Sequence, residues 1–146
     1  FTVPYNNMEY DLPVEELAES KKQNEWPGKT IMIAEDDKSN FQLLNEILKK
    51  TKASVVWAKD GDEAIRLLRE NPAIDLILMD IQMPVMNGYE ATRKIKEIRP
   101  SIPVIAQTAY AMAGEKALSK DAGCDQYISK PIRIDELMSM INKYLD

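Results

Sequence analysis

The sequence predicts an α/β sandwich, a parallel sheet with helices on both faces. Two observations predict it. Five short apolar runs alternate with five amphipathic stretches between Lys29 and Asp146. The runs are nearly continuous in apolar residues rather than alternating, so both faces of each strand must be covered, as in parallel sheets with crossover helices.

The elements follow in order. Thr30–Ala34 reads as a buried strand. Asn40–Lys50 reads as a helix because Phe41, Leu44 and Leu48 recur at three- and four-residue spacing, with Asp37 as its N-cap. Ala53–Ala58 is a β-branched and aromatic run, a second strand. Asp62–Arg69 is helical, with Ala64, Ile65 and Leu68 on one face. Ile74–Met79 is the third strand, and Asp75 is expected to cap its start. Tyr89–Ile98 is a helix that stops before Pro100. Pro103–Gln107 is the fourth strand, Met112–Asp121 a helix ended by Gly123, and Cys124–Ser129 the fifth strand. Asp135–Leu145 closes the chain as a helix with Leu137, Met138, Ile141 and Tyr144 inward. Met83-Pro84 and Asn87-Gly88 shape the loop after the third strand.

Ahead of this pattern, residues 1–28 hold Pro4, Asn6, Asn7, Pro13 and Pro27-Gly28, and read as a linker with one short helix at Val14–Lys22. A single domain is therefore expected over 29–146. The absence of an initiating Met suggests a piece of a longer protein.

Composition narrows the function. The chain has 146 residues, 45% hydrophobic and 29% charged, with no apolar run near the roughly 18 residues of a membrane span. No secretory signal opens it. A net charge of −5 without a basic stretch argues against nucleic acid and for protein partners. One cysteine, Cys124, leaves no internal disulfide and fits a reducing, cytoplasmic setting, where it serves as a small buried hydrophobe. The chain has no histidine. Ser-His-Asp and Cys-His catalysis are thereby excluded within it, and so is a phosphohistidine of its own.

In sheets of this kind the active site lies beyond the carboxyl ends of the strands. Strand one ends at Glu35-Asp36-Asp37, strand three at Asp80, strand four at Thr108 and strand five at Lys130-Pro131. Three carboxylates, a hydroxyl and a lysine should converge on one edge. Glu35, Asp36 and Asp80 would repel one another, and a divalent cation with a preference for carboxylate oxygen, Mg²⁺, relieves that repulsion. An aspartate in such a cleft can accept a phosphoryl group, with positive charge from the metal and Lys130 and a hydroxyl from Thr108.

These residues resemble the response-regulator receiver domain of two-component systems. The resemblance rests on Glu35-Asp36 after Ile31-Met32-Ile33-Ala34, Asp80 within Leu78-Met79-Asp80-Ile81-Gln82-Met83-Pro84, Thr108-Ala109, and Lys130-Pro131. It covers about residues 29–146, with Asp80 44 positions after Asp36 and Lys130 22 after Thr108. It implies a flavodoxin-like, doubly wound three-layer sandwich with strand order 2-1-3-4-5. It implies that Asp80 is the phosphoacceptor, that Asp36 ligates the metal directly, and that Glu35 is the second acid. The Gln82 carbonyl is implied as third protein ligand, Thr108 and Tyr127 as the switch pair, and Lys130 as the phosphoryl-binding lysine. The Lys130-Pro131 peptide is often cis in such domains.

The implied function is phosphorelay signalling: Mg²⁺-dependent transfer from a phosphohistidine onto Asp80, which switches a protein-interaction surface. The domain would catalyse only its own phosphorylation and dephosphorylation. Phe1-Thr2-Val3-Pro4-Tyr5 looks like the last strand of a histidine-kinase ATP-binding domain, so the expected parent is a hybrid sensor kinase, itself able to be membrane-anchored. The alternative is a receiver-like binding module that never reacts. A haloacid-dehalogenase type of phosphatase would want an acid where Gln82 stands. Tyr110, two positions after Thr108, is expected to shield the acyl phosphate from water and lengthen its life. Homodimerisation is left open by the sequence.

Overall fold

Ile31, Met32, Ile33 and Ala34 have no exposed surface, as a strand covered from both sides requires, and they form β1 (Thr30–Ala34). It is joined by β2 (Ser54–Ala58), β3 (Ile74–Asp80), β4 (Val104–Thr108) and β5 (Gln126–Ser129) in one parallel sheet of order β2-β1-β3-β4-β5. The structure is a computed structural model that describes residues 24–109 and 113–146. The helix expected at Val14–Lys22, the Phe1–Tyr5 string and Tyr110 lie outside those residues.

Among the described residues, five helices connect and close the strands: α1 (Lys38–Lys49), α2 (Gly61–Glu70), α3 (Gly88–Ile98), α4 (Ala113–Ala122) and α5 (Ile134–Leu145). The side chains of Asp37, Asp60 and Asn87 accept hydrogen bonds from Asn40, Glu63 and Glu90 backbone N–H groups, which fixes the start of α1, α2 and α3. Strand side chains alternate between two cores. Met32, Ile77, Met79 and Ala106 meet Ala64 and Leu68 of α2 and Ala91 and Ile95 of α3. Ile31, Ile33, Leu76, Leu78, Ile105 and Ile128 meet Leu44 and Leu48 of α1 and Leu137 and Ile141 of α5. The three-layer sandwich is as expected, with element ends displaced by one or two residues.

Two displacements have a physical cause. β5 begins at Gln126 rather than Cys124, because Cys124 N–H closes the end of α4 on Ser119 carbonyl and Asp125 fastens β4 through its side chain. The Asp125 carboxylate accepts from Val104 N–H and from Lys96 Nζ, both at 2.8 Å. The packed body also reaches back past the boundary expected at Pro27-Gly28. Trp26 is 2% exposed, its N–H donates to Thr51 carbonyl at 2.7 Å, and its indole N–H donates to Asn142 at 3.1 Å. A lone aromatic in a turn-rich tail carries no periodicity that would mark it as core.

At the amino end of the sheet, Asp75 accepts from Thr30 N–H at 2.9 Å, the capping role expected of it. Among the described residues no helix is long and apolar enough to cross a membrane.

Candidate functional site

Glu35 follows β1 directly, and its N–H donates to Ala58 carbonyl at 2.9 Å, which extends the sheet pairing by one residue. Its side chain shares a face with Ile33 and is 99% withdrawn from solvent, being 1% exposed. The next residue, Asp36, is exposed. Asp80 ends β3 and is 2% exposed. One carboxylate oxygen from each of Glu35, Asp36 and Asp80 can be chosen so that all three lie within 4.8 Å of one another.

A lysine answers this charge. Lys130 follows β5, and its N–H donates to Thr108 carbonyl at 2.7 Å, which anchors it beside the end of β4. Its ammonium stands 3.2 Å from Asp80 Oδ1 and 3.6 Å from Glu35 Oε1. The Lys130-Pro131 peptide is cis. Asp80 Oδ1 also accepts from Gln82 N–H at 3.1 Å, while the Gln82 side chain is exposed.

Burial, and then the Asp80 carboxylate beside it, raises the Glu35 carboxyl to about 7, against the opposing pull of Lys130. Glu35 Oε1 has no hydrogen-bond partner although it is buried. A cluster of hard oxygen donors with an orphaned carboxylate oxygen fits a hard divalent cation such as Mg²⁺.

The loop after Asp80 is held by close backbone approach. Gly88 N–H donates to Ile81 carbonyl at 2.9 Å, and a Cβ on Gly88 would lie 2.4 Å from the Asp80 carbonyl oxygen. Only glycine admits that contact. Val85, in the same loop, is 81% exposed with φ of 70°, a left-handed conformation rare for a β-branched residue.

Thr108 is the last residue of β4 and is buried. It sits next to Gln107, which pairs with Asp80 in the β3–β4 register. Tyr127 lies on β5 opposite Ala106, half-buried over a shallow depression shared with Lys116, Ser119 and Lys120 of α4. Burial and then the Glu115 carboxylate raise its hydroxyl. Thus Glu35, Asp36, Asp80 and Lys130 form one cluster, Thr108 borders it, and Tyr127 stands off on the α4 side of the sheet.

Two contributors escaped the reading of the sequence. Trp57 donates its indole N–H to Glu35 carbonyl at 2.8 Å and stacks on Phe41 with ring centroids 4.1 Å apart. An indole near the end of an edge strand was a usable signal, because a buried indole seeks an acceptor. Gln107, fully buried, reads in the sequence only as the last residue of the fourth strand.

The chain is similar to known proteins. A family model described as the response regulator receiver domain matches residues 31–142. The polar-differentiation response regulator DivK of Brucella anthropi is 41% identical over 120 residues, covering 80% of this chain and 96% of that protein. The receiver domain of the sensor histidine kinase PA1611 from Pseudomonas aeruginosa PAO1, solved with magnesium coordinated in its active-site cleft, is 32% identical. It superposes with a TM-score of 0.75 over 81% of this chain and 98% of that one. A co-crystal structure of the Saccharomyces cerevisiae phosphotransfer protein Ypd1 with the receiver domain of Ssk1 matches at 29% identity and a TM-score of 0.76, covering 82% of this chain and 90% of that one. The chain belongs to the response regulator receiver domain family, whose members carry phosphorelay signals on a phosphorylated aspartate.

Proposed function

We propose that Asp80 is the residue phosphorylated in this receiver and that Mg²⁺ bound by Asp36, Asp80, Glu35 and the Gln82 carbonyl assists the transfer. The observation that carries this reading is the placement of the Lys130 ammonium 3.2 Å from Asp80 Oδ1, in a cleft where three carboxylates meet. Mg²⁺, when bound, supplies charge that offsets the negative phosphoryl oxygens.

The chain's own residues do the rest. Asp80 attacks phosphorus in line, a P–O bond forms, the P–N bond of a phosphohistidine breaks, and the histidine nitrogen keeps the electron pair. Gln82 N–H and Lys130 orient the Asp80 carboxylate before reaction, so little reorganisation is left for the transition state. Lys130 can then follow the transferred oxygens. Thr108 offers its hydroxyl to the attached phosphoryl group, and Tyr127 turns with it, biasing the surface around α4, β5 and α5 between two states.

The donor histidine belongs to another protein or another domain, since this chain has none. The Ypd1–Ssk1 complex supports a phosphotransfer partner, and the PA1611 receiver supports a hybrid sensor kinase as parent, acting at the cytoplasmic side. Labelling with a small phosphodonor such as acetyl phosphate in the presence of Mg²⁺ tests the assignment. One phosphoryl group per chain is expected, lost in Asp80→Asn; labelling that survives this substitution would falsify it.

A further inference from the structure

Gln107 presents a buried amide without a stated use. It is fully buried, and neither its Nε2 nor its Oε1 has a hydrogen-bond partner. Buried amides are nearly always paired, because an unmet one costs about 1–3 kcal/mol. Side chains alternate along β4, so Gln107 shares the α1–α5 face with Ile105, two positions earlier. Glu35 reaches the same face after Ile33, and Lys130 after Ile128.

These three polar residues and Asn40 of α1 line one cavity of about 160 Å³, whose other walls are Leu43, Leu44 and Ile47 of α1 with Pro131 and Ile132. The other buried group there without a hydrogen bond is Glu35 Oε1. An unmet N–H₂ donor and an unmet carboxylate acceptor thus share one small space with apolar walls. The leucine and isoleucine walls offer neither group a partner, Lys130 stands 3.6 Å from Glu35 Oε1, and Asn40 is on the exposed α1 rim.

We propose that Gln107 is a positioning residue for the metal-binding acid: its amide donates to Glu35 Oε1 across water in the cavity, and holds that carboxylate toward Asp36 and Asp80. The inference rests on the proposed Mg²⁺ site. Outer groups that orient a ligand carboxylate shape metal affinity without touching the metal. Trp57 holds the Glu35 backbone from the opposite side, so the acid is fixed at carbonyl and carboxylate alike.

Calorimetric titration with Mg²⁺ alone, on wild type, Gln107→Leu and Gln107→Asn, tests it. Gln107→Leu should weaken Mg²⁺ binding about tenfold, with the metal-free melting temperature unchanged or raised, since leucine suits the apolar walls. Gln107→Asn should recover part of the affinity through a bridging water. Wild-type affinity in Gln107→Leu overturns the proposal, and so does a loss of affinity matched by a fall in metal-free stability. Failure of the wild type to bind Mg²⁺ would instead sink the proposed function. In that event the metal-free ¹⁵N spectrum still decides. The Gln107 side-chain amide signal should move on Glu35→Gln while other side-chain amides stay, and an unmoved signal overturns the pairing.

Discussion

Gly88 lies against the backbone of Asp80 so closely that a methyl group on it would reach within 2.4 Å of the Asp80 carbonyl oxygen. The α3 helix therefore starts directly on the end of the strand that carries Asp80. Gly88→Ala should force β3 and α3 apart, destabilise the domain by about 1–3 kcal/mol, and slow labelling of Asp80 beyond what unfolding explains. Gly114 near the start of α4 meets nothing within 4 Å, so Gly114→Ala should leave stability unchanged or slightly higher. Urea denaturation of both variants, with initial labelling rates, checks the contrast.

Lys130 faces both Asp80 and Glu35. Removing its charge in Lys130→Met should lower the rate of phosphoryl transfer to Asp80 about 100-fold, the scale of one lost charge-stabilising donor. Binding of Mg²⁺ should persist, because the carboxylates remain and their net negative charge rises. Rates from stopped-time labelling, set beside a Mg²⁺ titration, separate the two effects; a parallel loss of metal affinity would count against the role given to Lys130.

Mg²⁺ should stabilise the folded chain, since the three carboxylates come together only there. At a metal concentration a hundredfold above Kd the gain is about 2.7 kcal/mol. Thermal melts with Mg²⁺ and with a chelator measure it. The difference should vanish in the Asp36→Asn, Asp80→Asn double variant.

Cys124 gives the pH-dependent prediction. Burial raises its thiol to about 11, despite the helping hydrogen bond with Thr92. Below pH 9, the ordinary value for a thiol, folded and unfolded chains both keep the proton, and this group's contribution to stability is whole. As pH climbs from there toward about 11, the unfolded thiol ionises first, and that contribution is progressively lost. Alkylation at pH 8 should be much slower in native protein than in urea. Equal rates would show that Cys124 is open to solvent.

Much of the fold was legible because its strands are continuous apolar runs and its helices carry apolar residues at three- and four-residue spacing. Asp37, Asp75 and Gly88 could be read in advance as well, because capping and tight loops use few residue types. The candidate cluster was legible for a different reason: Glu35, Asp36, Asp80 and Lys130 all sit at strand ends, and a parallel sheet gathers its strand ends on one edge. Trp26, Trp57 and Gln107 were not legible. Each acts through a contact distant in sequence, Trp26 with Asn142, Trp57 with Glu35, and Gln107 with the cavity beneath the cluster. Periodicity reports which face a residue occupies, not which partner waits there.

The pairing of Lys130 with Asp80 joins residues fifty positions apart, on strands separated by β4. No stretch of the chain shorter than that holds both the buried acid and the ammonium that faces it. The carboxylate–lysine cluster therefore comes together only when the last strand has docked, and a chain truncated or frayed at its carboxyl end would present uncompensated acids instead. On the proposed reading, chemical competence doubles as proof of completed folding, and a misassembled copy would fall silent rather than send a false message.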